Sequence, residues 1–402
     1  MSERILRLYI GEQCLLLSIL IFMADASEDT FIFGLDFQAR SLATLINDDE
    51  KSIFIAGTQS LKNENQIYYF AYDENSDQKL FKQTFPHDAG EIWYLAGCPI
   101  QGDVFASSYM TKNCKPKCSI WKLKSLQGST TETLQLSETA TIDVEGHRYV
   151  PRFLWKPFSA SEACILIGSN LIFVDLKNGM EQFNKRKVTV NEDSQNPLSV
   201  AKWDPHHDSC CLTLAQGTAI FGWDSRSSKQ TYLIEDAHSL CIRDLDFNPN
   251  RPYYLMTGGN DGFIHFWDIR KTKERIARFA HHSHWVCSVR FNPVHDQLFL
   301  SSSTDSKVVL WCAASFSSES VDLSFNNDME DSNISNIPDG PLREYDDHEE
   351  SVYCCEWSAC DPWVFASLSY DGRIVIKRVP RDLKYTILHS VAYDVILFSN
   401  CE

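Results

Sequence analysis

Seven copies of one irregular repeat, a hydrophobic period of two within each copy, and Asp-Gly turns between the runs predict an all-β propeller of seven blades. A chain of 402 residues exceeds the usual size of one domain unless its fold is repetitive, so the repeat carries the prediction. Its ruler is a His, an apolar or aromatic residue nine positions on, Ser or Thr at nineteen, Asp at twenty-three and Trp at twenty-nine.

Taken in order, the first unit runs from Phe31 to about Phe85. The second runs from His87 to Trp121, carries Glu91-Ile92-Trp93 and holds about five extra residues. The third runs from Gly146-His147 to Asp175 and contains Trp155 and the apolar run Leu171 to Val174. In the fourth, Ser194 replaces the His and Gly217 the Asp, while Trp203, Thr213 and Trp223-Asp224 keep register. The last three fit best: His238, Phe247, Thr257, Asp261, Trp267; then His282, Phe291, Ser301, Asp305, Trp311; then His348, Trp357, Ser367, Asp371, with Lys377 in the place of Trp.

Alternation such as Ser288-Val289-Arg290-Phe291, with turn pairs Asp261-Gly262 and Asp371-Gly372, makes each copy an antiparallel four-stranded sheet. Such a sheet is apolar on both faces, so copies must stack, and radial closure leaves few edges open. This is the WD40 form of the β-propeller. Antiparallel order places His and Asp at the same end of a blade, where Ser or Thr and Trp complete a hydrogen-bonded chain. These residues are therefore expected to be structural. A catalytic reading of His, Asp and Ser would require one triad to recur in several blades. The expectation is no enzyme, no catalytic residue and no cofactor.

The propeller is assigned to residues 31–388. From position 238 to 282 the spacing is 44 residues, but from 282 to 348 it is 66, and the extra stretch is rich in Ser, Asn and acid, including Asp328, Glu330, Asp331 and Asp339. Leu342 to Tyr345 resembles a fourth strand, so the insert, about 313–340, falls in a third-to-fourth-strand loop at the end away from the His and Asp turns. The expectation there is a solvated loop, with a tether for a basic partner as the sharper reading. The first unit reads as beginning on a first strand and the last as ending on a fourth, which leaves ring closure unspecified.

Residues 1–30 form an extension. Arg4 and Arg7 precede the apolar run Leu15 to Phe22, and Ala24-Asp25-Ala26 resembles a cleavage site, yet Glu12 and Gln13 interrupt the segment and Met23 offers a second start. The reading adopted is an alternative start at Met23; residues 389–402 are read as a second extension.

A formal net charge of -17 disfavours nucleic acid and anionic lipid, so basic partner surfaces are expected and membrane insertion is not. The 14 cysteines are scattered, and pairs such as Cys210-Cys211 and Cys354-Cys355 read as reduced, buried thiols whose side chains point to opposite faces of a strand. Cys114 and Cys118 lack a second pair at metal spacing, and His206-His207 and His281-His282 with His284 diverge along strands and loops, so no metal is expected. Trp93 and Trp285, at or before first strands, and Arg243 are the candidate partner contacts, with packing between blades the competing role for the aromatics.

The stretch from about Phe33 to Leu388 resembles the WD-repeat family that interacts with the EARP and GARP vesicle-tethering complexes. The matching strings are GLDFQARSL at Gly34 to Leu42, AGTQSLKNENQI at Ala56 to Ile67, HDAGEIW at His87 to Trp93, RDLDFNPN at Arg243 to Asn250, HSHWV at His282 to Val286, DPWVFASLSYDGR at Asp361 to Arg373 and RVPRDLKYTIL at Arg378 to Leu388. The resemblance implies a non-enzymatic partner of EARP and GARP subunits; the propeller itself is expected to be monomeric. It places the chain in the cytoplasm at the trans-Golgi network and endosomes, serving endosomal recycling, retrograde transport and dense-core vesicle formation. It supplies no motif of binding residues. The competing binding class is a chromatin or histone-binding propeller, which the acidity suits.

Overall fold

The computed structural model describes residues 30–47, 51–62, 64–74, 79–126, 133–145, 149–177, 182–190, 196–318 and 338–388. The Met23 start, the extensions 1–29 and 389–402, His147, Ser194, and Asp328, Glu330 and Asp331 of the insert lie outside the described residues.

Among the described residues, twenty-eight strands form seven antiparallel four-stranded sheets. The chain enters on β1 (Thr30–Gly34). Blade 1 is β2 (Ala39–Leu45), β3 (Ser52–Thr58), β4 (Asn65–Tyr72) and β5 (Leu80–His87). Blade 2 is β6 (Gly90–Gly97), β7 (Val104–Thr111), β8 (Pro116–Leu126) and β9 (Thr133–Asp143). Blade 3 is β10 (Arg152–Trp155), β11 (Glu162–Ile167), β12 (Asn170–Lys177) and β13 (Gln182–Thr189). Blade 4 is β14 (Leu198–Trp203), β15 (Cys211–Gln216), β16 (Ala219–Asp224) and β17 (Lys229–Ile234). Blade 5 is β18 (Ile242–Phe247), β19 (Tyr254–Gly259), β20 (Phe263–Asp268) and β21 (Ala277–Ala280). Blade 6 is β22 (Val286–Phe291), β23 (Leu298–Ser303), β24 (Val308–Cys312) and β25 (Gly340–Tyr345). Blade 7 is β26 (Val352–Trp357), β27 (Val364–Ser369) and β28 (Arg373–Arg378), completed by β1.

That last pairing corrects the first unit. Phe31 does not open a first strand: β1 is the fourth strand of blade 7, antiparallel to β28 with Ile32 opposite Val375 and Gly34 opposite Arg373. Periodicity alone cannot tell a first strand from a fourth, whereas the free edge of β28 demands a partner. Phe31 and Phe33 then pack on Tyr72 and Phe70 of blade 1, with centroids 5.3 and 5.6 Å apart. Among the described residues, no strand follows β28. Residues 381–388 are helical, and Ile387 buries itself beside Trp357 and Trp363.

The core lies between blades. Seven apolar clusters each join residues of two consecutive sheets, blade 7 to blade 1 included, so the ring is closed by packing as well as by β1. Between blades 5 and 6, Phe266 and Phe279 meet Phe299 and Trp311, the last two stacked at 5.5 Å. Burying each such ring contributes about 1.5–3 kcal/mol. Burial on both faces also explains why a second strand such as β23, with sequence LFLSSS, is buried along its whole length instead of alternating. The outer β13 is mostly exposed, and its Lys185-Arg186-Lys187 is the one run of three adjacent cations in the sequence.

The described ends of the insert follow β24 and precede β25, in a third-to-fourth-strand connection. There Asp339 accepts from Ser315 N–H at 3.1 Å and Asp296 from Ser318 N–H at 2.7 Å.

Candidate interaction face

The repeat residues assemble at one end of the blades. In blade 5, His238 Nδ1 lies 2.9 Å from Asp261 Oδ1 and Nε2 lies 2.8 Å from Thr257 Oγ1, which accepts from Trp267 Nε1–H at 3.1 Å. Blade 6 repeats this with His282, Asp305, Ser301 and Trp311 at 3.0, 2.7 and 2.8 Å. Burial alone would raise the Asp305 carboxyl, but the His282 ring and the N–H groups of Ser283 and Lys307 hold it down at about 2; Asp261 is lowered by the equivalent contacts. In blade 7, His348 reaches Ser367 at 2.8 Å, but Asp371 bonds Ser369, which in turn bonds His348 Nδ1 at 2.9 Å. Lys377, in the Trp position, pairs with Asp347 at 2.8 Å. Burial lowers His348 to about 4.

These groups are placed to hold turns to strands. The His238 and His282 side chains are 0% and 1% exposed and the paired aspartates 5%, so no substrate can touch them.

What the tetrads support is the rim above them. Six of the seven inner strands carry a register break near their start, one residue in for five of them and three in for β6, and the residues displaced are Arg40, Trp93, Ser199, Arg243, Cys287 and Tyr353. A bulge leaves its residue unpaired and re-aims the side chain, here at the His and Asp end of the central channel. Arg243 stacks its guanidinium 4.8 Å from the Trp285 ring and donates Nε–H to Asn260 at 2.6 Å. Trp285 stays 38% exposed, which favours contact over packing. Trp93 instead lies against Arg40 at 5.5 Å, and the same guanidinium lies 4.4 Å from Tyr353 and 5.1 Å from Tyr370. Arginine, tryptophan and tyrosine are the side chains that dominate protein–protein contact energies.

Below this rim runs a channel of about 390 Å³ lined by the first strands, from Arg40 and Tyr353 at one end to Pro99 and Pro157 at the other. Its wall holds a buried charge chain. Arg290 pairs with Asp244 and, at 2.8 Å, with Glu356, and Lys202 pairs with Asp246 at 3.0 Å. For Asp244, burial is outweighed by Arg290, Arg152 and Lys202 and the carboxyl is lowered; for Glu356, burial wins over Arg290 and the carboxyl is raised.

The family described as EIPR1 β-propeller matches residues 27–311, and the WD domain, G-β repeat, matches residues 339–376. This chain belongs to the EIPR1 β-propeller family. The EARP-interacting protein homolog of Danio rerio is 42% identical over 381 residues, covering 89% of this chain and 98% of its own. The EARP and GARP complex-interacting protein 1 of Homo sapiens is 38% identical with the same coverage, and the EARP-interacting protein 1 of Caenorhabditis elegans is 34% identical over 90% of this chain and 99% of its own.

The histidines and cysteines weighed in the sequence as metal ligands or thiol pairs take ordinary partners where they are described. His206 Nε2 faces Asn248 O at 2.9 Å, His207 faces Tyr253 Oη at 2.8 Å, His281 faces Glu344 at 2.6 Å and His284 faces Thr304. Cys118 is buried against Ser108, while Cys114 is exposed in the preceding turn. Cys210 precedes β15 instead of lying on it, so the Cys210 and Cys211 sulfurs sit side by side at 3.9 Å and do not face opposite ways. Among the described residues, no group of three or more His, Cys, Asp or Glu side chains is placed to hold a metal.

Sequence reasoning singled out Trp93, Arg243 and Trp285, which the structure places on this rim, and did not single out Arg40, Tyr353 and Tyr370 beside them. The missing signal was a further column of the ruler: the fifth residue after the His is Arg243, Cys287 and Tyr353 in the last three units.

Proposed function

We propose that this chain is a non-enzymatic scaffold that interacts with the EARP and GARP tethering complexes. In this reading it supports endosomal recycling, endosome-to-trans-Golgi retrograde transport and dense-core vesicle formation from the cytoplasmic side of those membranes. The single observation that carries the binding role is the rim of Arg243, Trp285, Arg40 and Tyr370 around the channel mouth. It is held on tetrads whose titratable groups are buried and fully bonded, an arrangement suited to presenting a surface and unsuited to turnover. The choice of partner is supported by the names of relatives that match along nearly their whole lengths. The trafficking roles and location are supported by resemblance to that family alone.

Affinity purification of the tagged protein from secretory cells, with identification of co-purifying chains, tests the reading. Recovery of EARP and GARP subunits is expected. Recovery of histones without those subunits would replace it with the chromatin-binding alternative.

A further inference from the structure

We propose that the channel mouth on the His and Asp face is a carboxylate port, in which Arg40 and Arg152 receive an acidic side chain from an extended segment of a protein partner. This rests on the reading of the chain as a partner-binding scaffold and names the chemistry of the contact.

Four cations line the channel: Arg40, Arg152, Lys202 and Arg290. Lys202 and Arg290 are matched by Asp246, Asp244 and Glu356. Arg40 and Arg152 form no ion pair and no hydrogen bond with any described residue; both are held by rings instead. Arg152 lies 4.4 Å from the Tyr94 ring, and Arg40 is enclosed by Trp93, Tyr353 and Tyr370. Stacking fixes a guanidinium through its faces and leaves its N–H edge unused, and that planar edge matches a carboxylate.

Two orphan donors point the same way. Arg40 Nε and Trp93 Nε1 are both buried without an acceptor, although the two side chains touch through the ring contact. Neither atom can accept, so the two cannot satisfy each other, and a carboxylate oxygen held between them would serve both.

The cage also excludes the opposite partner. Three aromatic rings around a cation-sized space are the usual trap for a lysine or methylated amine, but here the chain's own Arg40 fills it. An incoming cation meets an occupied cage and two arginines that no carboxylate pairs directly, Asp244 acting on Arg152 only at longer range. The net charge of -17 makes the rest of the surface hostile to an acidic segment, so capture has to be local. The sequence-wide preference for basic partners is thus reversed at this one place.

The test is a titration of the purified full chain with a dye-labelled hexaglutamate peptide and its hexaglutamine counterpart, alongside Arg40→Glu, Arg152→Glu and, on the outer strand, Arg186→Glu. Wild type is expected to bind hexaglutamate, more weakly as salt rises, and not hexaglutamine. Arg40→Glu and Arg152→Glu weaken binding at least tenfold, and Arg186→Glu leaves it unchanged. Thermal melting of each variant verifies the fold, and should Arg40→Glu fail to fold, Arg40→Gln, with the charge removed and polarity kept, is expected to show the same loss in smaller degree. Equal hexaglutamate binding by wild type and folded Arg40 and Arg152 variants, absence of binding by wild type, or equal binding of hexaglutamine overturns the port. Co-purification separates the two claims: tethering-complex subunits captured equally by wild type and Arg40→Glu overturn the port alone. A wild type that binds hexaglutamate but captures no such subunit overturns the functional reading alone.

Discussion

Nδ1 of His282 lies 3.0 Å from Oδ2 of Asp305, and both side chains are almost fully withdrawn from water. A buried carboxylate in such a pair depends on its partner. Replacing His282 with Ala removes the ring bonded to Asp305 and Ser301, leaves the carboxylate only the Ser283 and Lys307 N–H groups, and is expected to cost about 1–3 kcal/mol, read as the change in urea-unfolding free energy. The matching substitution Asp371→Asn should cost clearly less, because Asp371 reaches His348 only through Ser369.

Acid should weaken the fold in two windows. Burial holds His348 at about 4, below the usual histidine value of about 6.5, so between those values the unfolded chain binds the extra proton. Stability is therefore full above about 6.5 and declines as pH falls toward 4. Asp305, depressed to about 2, contributes stability that is present above the ordinary carboxyl value of about 3.9 and lost as pH falls toward 2. Urea midpoints measured from pH 7 to pH 4.5 should fall for wild type and fall less steeply for His348→Gln. Parallel slopes would remove His348 from this account.

Arg290 neutralises two carboxylates that come from neighbouring blades on either side of it. Arg290→Met is expected to destabilise by about 3–5 kcal/mol. The double variant Arg290→Met, Glu356→Gln should recover part of that loss, since it removes one stranded charge, and a double-mutant cycle in urea measures the coupling.

The ring is closed by β1 as well as by packing of blade 7 on blade 1. Phe31→Ala with Phe33→Ala removes two half-buried rings from the seam between blades 7 and 1 and is expected to cost about 1–2 kcal/mol for each ring. Limited proteolysis should then cut between β1 and β2 before any other site. An unchanged cleavage pattern would mean that packing of blades 7 and 1 alone closes the ring.

The sequence carried the blades whose repeat is complete. His238, His282 and their partners announce themselves because a tetrad needs fixed residue types at fixed spacing, and Asp-Gly at Asp261-Gly262 marks a turn with Gly262 at φ +79°. What stayed hidden had no such constraint. The swap of β1 into blade 7 is invisible because Phe31-Ile32-Phe33 has the same alternation in any edge position. The Arg40 cage gathers residues from blades 1, 2 and 7, with Arg40 more than 300 positions from Tyr353 and Tyr370, and only the closed ring brings them together. The pairing of Arg290 with Asp244 and Glu356 likewise follows from radial closure and from no local pattern.

The central claim, that the rim on the His and Asp face is where this propeller meets its partners, is tested most directly by quantitative co-purification of EARP and GARP subunits with the double variant Arg243→Ala, Trp285→Ala. The control is Lys185→Ala, Lys187→Ala on β13. The account predicts at least a tenfold loss of the subunits for the rim variant and none for the β13 variant, with unchanged melting temperatures. Full capture by a folded rim variant, or loss confined to the β13 variant, would contradict it.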